Sequence, residues 1–108
     1  MNYKVLLTPT AGDDLRSIFK YIAYTLQSVQ TAEGQLNRLQ KAINSLEYMP
    51  ERFRVYDKEP WKSHNFHIMN VDNYQIFYAP DIKKQTVTVF RIIYGKRDVQ
   101  AQLYQIDL

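Results

Sequence analysis

The sequence predicts an α+β fold: an N-terminal strand and a helical hairpin packed on a twisted antiparallel sheet, with a short C-terminal helix. Three observations carry this. Apolar residues recur at helical spacing through the first half of the chain. After Pro50 the period becomes that of strands. A long β-branched run, TVTVFRIIY, then fills 86–94. The 108 residues suit one domain, 1–108, with a single core.

The elements follow in order. Residues 3–7, YKVLL, read as a strand. Pro9 suits the first turn of a helix, with Thr8 or Thr10 as its cap, and Thr10 with Asp13 approximates a capping box. Leu15, Ile18, Phe19, Ile22 and Leu26 form one apolar stripe. QSVQT, 27–31, breaks that pattern and offers Ser28 or Thr31 as a new cap. A second stripe, Leu36, Leu39, Ile43 and Leu46, runs until Pro50 stops the helix. Two such helices need a flat surface to cover, and the rest of the chain supplies it. FHIMNV (66–71) and YQIFYA (74–79) are joined by Asp72-Asn73, a pair that tolerates hairpin turns. TVTVFRIIY is the expected central strand, completing an antiparallel meander. Asp98 caps a short last helix on which Val99, Leu103 and Ile106 share a face.

Composition narrows the function. Net charge is +3, with nine Lys/Arg against seven Asp/Glu in 51–108. That mild excess permits contact with a polyanion without requiring it. Cysteine is absent, which removes disulfides and thiolate metal sites and suits a cytoplasmic protein. No apolar run approaches the length that spans a bilayer, and the first ten residues are too short in apolar content for a signal peptide. His64 and His67 stand three apart, which on a strand places them on opposite faces, and no acidic cluster accompanies them. No metal or cofactor is expected. The three glycines form no phosphate-binding loop.

What remains is a set of cations and aromatics. Arg52, Arg54, Lys58, Lys62, His64 and His67 precede or begin the meander, and Arg91, Lys96 and Arg97 end it. Gathered on one rim, they would bind phosphates or a protein target. They would also suit metal-free RNA cleavage, which needs a base, a cation for the transition state and an acid. His67, Arg97 and Tyr94 or Tyr104 are the right residue types. The plainer reading is a solvated face. Arg91 alternates with Val87 and Val89, as a half-buried structural arginine would, and Tyr74 and Tyr78 share a core face with Ile76.

Four stretches resemble the RelE/ParE superfamily of toxins from bacterial type II toxin–antitoxin modules: AGDDLRSIFKYIA (11–23), SLEYMPERFR (45–54), VDNYQIFY (71–78) and RIIYGKRD (91–98). The resemblance implies a cognate antitoxin whose flexible segment wraps the toxin. It implies an assembly that is a homodimer or a heterotetramer with the antitoxin. It also implies one of two targets: mRNA in the ribosomal A site for RelE-like members, DNA gyrase for ParE-like ones. In the nuclease branch, Arg97 matches the arginine of the Gly-Lys-Arg turn, and Tyr104 matches the tyrosine of the final helix, displaced by one position. The branch's basic pair falls at His67 and Met69, and a further arginine falls at Gln75. The Asp14-Leu15 pair and the long helical hairpin point to the ParE-like branch. A toxin that blocks gyrase by binding is therefore the expectation. A ribosome-dependent endoribonuclease using Arg97, His67, Tyr94 or Tyr104, with Arg91 in support, is the alternative. An inert interaction module is the third reading.

Overall fold

The computed structural model describes residues 2–108. Strand β1 is Lys4–Leu7, helix α1 is Pro9–Lys20 and helix α2 is Val29–Asn44. Strands β2 (His67–Val71), β3 (Tyr74–Asp81) and β4 (Thr86–Tyr94) follow, and helix α3 is Val99–Leu103. The sheet order is β1-β4-β3-β2, so the β-branched run is central as its composition predicts.

The sheet departs from the expected antiparallel arrangement at one edge. β2, β3 and β4 form the meander, but β1 pairs with β4 in parallel, Lys4 opposite Thr86 through Leu7 opposite Val89. A parallel pair needs a long crossover. Here the helical hairpin and two strands lie between the partners in sequence, so the crossover is already built.

Thr8 settles the start of α1. Its side chain accepts from the Ala11 amide at 3.1 Å and donates to the Phe90 carbonyl at 3.0 Å, while Pro9 occupies the first turn. The Thr10–Asp13 capping box does not form; Asp13 pairs with Arg16 instead. α2 is capped by Ser28, whose hydroxyl accepts from the Thr31 amide.

The expected stripe of α1 fails at its last member. Beyond Lys20 the helix widens into a π turn, Tyr21–Thr25, in which the Leu26 amide bonds the Tyr21 carbonyl at 3.1 Å. The added residue in that turn shifts the helical phase. Leu26 is thereby 57 % exposed, while Leu15 and Ile22 stay buried.

Two cores lie on the two faces of the sheet. Under the hairpin, Leu15, Leu39, Ile43 and Leu46 meet Met69, Ile76, Tyr78, Val87, Val89 and Ile92. On the other face, Tyr56, Trp61 and Phe66 from the connection, with Leu103 of α3, cover Ile68, Phe77 and Ile93. Residues 54–56 also close the β2 edge, through Ile68 N–H to the Arg54 carbonyl and Tyr56 N–H to the Phe66 carbonyl.

A β-bulge divides β4 between these faces. Phe77 pairs with Arg91 but Tyr78 pairs with Val89, leaving Phe90 unmatched. Simple alternation would put Arg91 beside Val87 and Val89. The bulge reverses the phase, so Ile92 joins them and Arg91 turns away. Arg91 then bridges the layers. Its Nε and Nη2 donate to Asp14 of α1 at 2.8 and 3.1 Å, and its Nη1 donates to the Gln102 carbonyl of α3 at 3.0 Å. Asp14 also accepts from the Ile92 amide at 2.9 Å.

Both Arg91 and Asp14 side chains are largely shielded, at 9 % and 14 % exposure. Removing one partner leaves an uncompensated charge at a cost of about 3–5 kcal/mol, whereas an exposed pair contributes under about 1 kcal/mol. Asp14→Ala is therefore expected to lower unfolding free energy by about 3 kcal/mol in urea. Arg16→Ala, which breaks the exposed pair with Asp13, is expected to lower it by under about 1 kcal/mol.

Candidate functional site

The residues singled out by the sequence separate into four groups. His67 is in the hairpin-side core, 4 % exposed, with its ring 5.5 Å from that of Tyr78. Its Nδ1 donates to the Phe53 carbonyl at 2.8 Å, and Nε2 stands 3.3 Å from Asn65 Oδ1. The register explains this: β2 residues alternate, and His67 and Met69 fall on the face that meets the hairpin. Arg91 belongs to the layer-bridging contact with Asp14 and Gln102. Neither residue stands on an exposed rim: His67 is 4 % and Arg91 7 % exposed, Arg91 being buried as its alternative reading, a structural arginine, anticipates.

Arg52 forms the second group and finishes the helical hairpin. It donates to the Tyr48 and Met49 carbonyls and to the Ser45 hydroxyl, and its guanidinium lies 4.6 Å above the Phe53 ring. The third group is the exposed connection of Arg54, Lys58, Lys62 and His64. Lys62 pairs with Asp57 at 3.0 Å, and this hydrogen bond raises its pKa. Tyr104 stands apart from Tyr94: its ring lies 4.9 Å from Trp61, over the second core.

The fourth group is brought together at the end of β4. Tyr94 packs edge-on against Tyr74 at 5.7 Å. The chain then turns through Gly95, with the Arg97 amide bonding the Tyr94 carbonyl at 3.0 Å and the Gly95 amide bonding the Asn73 carbonyl at 2.8 Å. A Cβ at this position would stand 3.4 Å from the Asn73 carbonyl oxygen, in van der Waals contact with the β2–β3 turn. Lys96 and Arg97 are exposed on this turn, with no ion-pair partner among the described residues. Gln75 lies directly beneath Gly95, so an uncharged side chain occupies that position.

Electrostatics around this end are set by neighbouring groups. Asp72, in the β2–β3 turn, is held below the usual carboxylate range by hydrogen bonds from Arg38 and Gln35, each at 2.9 Å. Burial raises the Tyr74 hydroxyl, and Tyr94, Tyr21 and Asp72 add to the effect. Tyr21 thus belongs to the same neighbourhood. Sequence reasoning missed it, along with the exposed Tyr24 and Val29, because the helical stripe masked the π turn. The signal present in the sequence was a pair of tyrosines three apart before a capping serine.

The four residues that could supply acid–base chemistry do not come together at one point. RNA cleavage requires a base, a cation and an acid around one phosphate. His67 is enclosed, Tyr104 sits on Trp61, and only Tyr94 and Arg97 of the four adjoin.

A helical hairpin over a four-stranded mixed sheet, with a short helix behind it, is the architecture of the RelE/ParE toxins. The structure superposes on the chromosomal ParDE system of P. aeruginosa with TM-score 0.71 at 12 % identity, covering 87 % of this chain and 97 % of that one. It superposes on the archaeal RelE–RelB complex of Pyrococcus horikoshii with TM-score 0.63 at 18 % identity, covering 90 % and 99 %. For the toxin–antitoxin complex RelBE2 of Mycobacterium tuberculosis the TM-score is 0.61 at 19 % identity, covering 87 % and 99 %. No curated protein sequence matches the chain significantly. Residues 5–99 match the family described as ParE toxin of type II toxin-antitoxin system, parDE, and the chain belongs to that family.

Two outcomes test the core placement. His67→Ala is expected to lower stability by about 2 kcal/mol, because it leaves a cavity and frees the Phe53 carbonyl; a urea titration measures it. Burial pushes the Tyr78 hydroxyl, which donates to the Pro50 carbonyl at 2.6 Å, up to about 12. Because the folded value is the higher one, this contribution is complete below about pH 10 and is lost as pH rises towards 12. Stability should fall across that window, and Tyr78→Phe should flatten the fall while costing about 1 kcal/mol at neutral pH.

Proposed function

We propose that this chain is the toxin of a two-protein module in the cytoplasm, neutralised by a cognate antitoxin, and that it arrests growth by binding DNA gyrase without chemistry of its own. The single observation that carries the second part is the enclosure of His67, with both ring nitrogens directed at groups of the chain itself. Gln75 beside the Arg97 turn supports it, since positive charge around one phosphate is what RNA cleavage draws on most. Membership of the ParE family supports the choice of target.

The antitoxin has places to dock. β1 is an edge strand of four residues, two of which, Leu6 and Leu7, are 39 % and 46 % exposed. An open edge accepts an added strand, and the hairpin offers a helical surface. The matched RelBE2 structure is a toxin–antitoxin complex, and the matched Pyrococcus horikoshii structure is a RelE–RelB complex.

The half-buried Tyr94 with the exposed Lys96 and Arg97 favours one second reading, a RelE-like nuclease acting only at the ribosome. Induced expression without antitoxin separates the two. SOS induction with intact mRNA is the expected result, and Arg97→Ala should leave any RNA signal unchanged. In-frame 5′ ends within translated mRNA, abolished by Arg97→Ala, would overturn the gyrase reading.

A further inference from the structure

We propose that the tip of the helical hairpin is the surface that docks on the toxin's protein target, and that the target offers an apolar recess bordered by carboxylates. This rests on the reading above only in taking the target to be a protein. Tyr21, Tyr24, Leu26 and Val29 surround the connection between α1 and α2 and are 54 %, 69 %, 57 % and 51 % exposed. Large apolar residues scattered singly over a surface are ordinary, but four gathered in one connection make a patch.

The backbone builds the patch. The π turn carries Leu26 off the buried stripe, and Gln27 follows at φ 55°, a left-handed conformation uncommon outside glycine. Ser28 then caps α2 and fixes the direction of the return. The connection therefore holds these side chains outward, and a hydrophobic collapse onto the hairpin core would require the π turn to close.

Charge indicates what the patch meets. Tyr21 is near enough to Tyr74 to help raise its hydroxyl, and Tyr74 packs on Tyr94, which leads into the turn bearing Lys96 and Arg97. Lys20 precedes the patch directly. These three cations have no ion-pair partner among the described residues. The nearby acid Asp72 is already neutralised by Arg38 at 2.9 Å, which leaves two opposing charges: Glu33, one turn along α2 from Val29, and Asp98, which follows Arg97 and accepts from the Ala101 amide as the cap of α3. An apolar centre with tyrosines and a cationic border is the composition of a protein-binding surface. Leu26 and Val29, with only Gln27 and Ser28 between them, leave the centre of the patch without the cation that a phosphate backbone calls for.

The test compares induced expression of the wild type, a Tyr24→Ser/Leu26→Ser variant and a Lys96→Glu/Arg97→Glu variant. Growth, protein level and an SOS reporter are read together, and thermal midpoints are measured on the purified chains. The tip variant should keep its midpoint within about 3 °C, because exposed positions carry little stability. It should need at least about ten-fold more protein to arrest growth, equivalent to about 1.4 kcal/mol of lost binding. The charge-reversed variant should also be weakened. Arrest by the tip variant at wild-type levels overturns the inference. So does a wild-type dimer that the tip variant loses in sedimentation, since a second copy would then be the occupant. Binding of a labelled single-stranded DNA that only the wild type retains would likewise overturn it. Wild-type arrest without SOS induction removes gyrase as the target while the tip comparison still decides this inference. A wild-type chain that does not arrest growth overturns both.

Discussion

The buried Arg91 guanidinium joins the three layers of this fold. β1 is only four residues long, so its pairing with β4 ends at Val89, and just beyond it Thr8 serves that edge through its amide to the Val89 carbonyl and its hydroxyl to the Phe90 carbonyl. The Ile92 amide would be left without a partner at that edge. Asp14, projecting from α1, accepts it, and the carboxylate brought there needs a counter-charge. Arg91 supplies that charge from the neighbouring residue and reaches past the sheet to Gln102, which fixes α3. The bulge at Phe90 is what allows this. Without it Arg91 would point into the hairpin core with Val87 and Val89, where no carboxylate waits.

Consequences run outward from that contact. With α3 held, Leu103 closes the second core over Phe77 and Ile93. Each such fully buried apolar side chain contributes roughly 1.5–3 kcal/mol. The chain between the end of β4 and the start of α3 is then confined to a tight turn, anchored by Gly95 to the β2–β3 hairpin. Lys96 and Arg97 lie exposed on that turn. The cationic end of β4 is therefore a product of how the two faces of the sheet are tied together, and its charge is available to a partner.

The meander was legible in the sequence because its strands alternate cleanly and its turn uses Asp72-Asn73. TVTVFRIIY was recognisable as central from length and β-branching alone, and it became β4 residue for residue. Three features were not legible. The direction of β1 depends on a long-range pairing that no local pattern encodes. The bulge at Phe90 has no glycine or turn residue to announce it, so alternation placed Arg91 on the wrong face. The π turn preserves helical hydrophobicity while changing the phase, so Leu26 read as core. The candidate site follows the same causes: His67 depends on a register that only the paired strands define, and Tyr21 and Tyr24 lie between members of the apolar stripe, in a π turn that the helical spacing does not announce. Arg97, Lys96 and Tyr94 were readable because they follow an apolar run that ends abruptly.

The central claim is that this toxin acts by binding and not by chemistry. The most direct measurement incubates the purified chain with gyrase, ATP and relaxed plasmid, beside a parallel translation reaction containing a defined mRNA. The account predicts inhibited supercoiling or accumulated gyrase-cleaved plasmid, with the mRNA uncut at programmed ribosomes. Unimpaired gyrase together with mRNA cut at the ribosomal A site would contradict it.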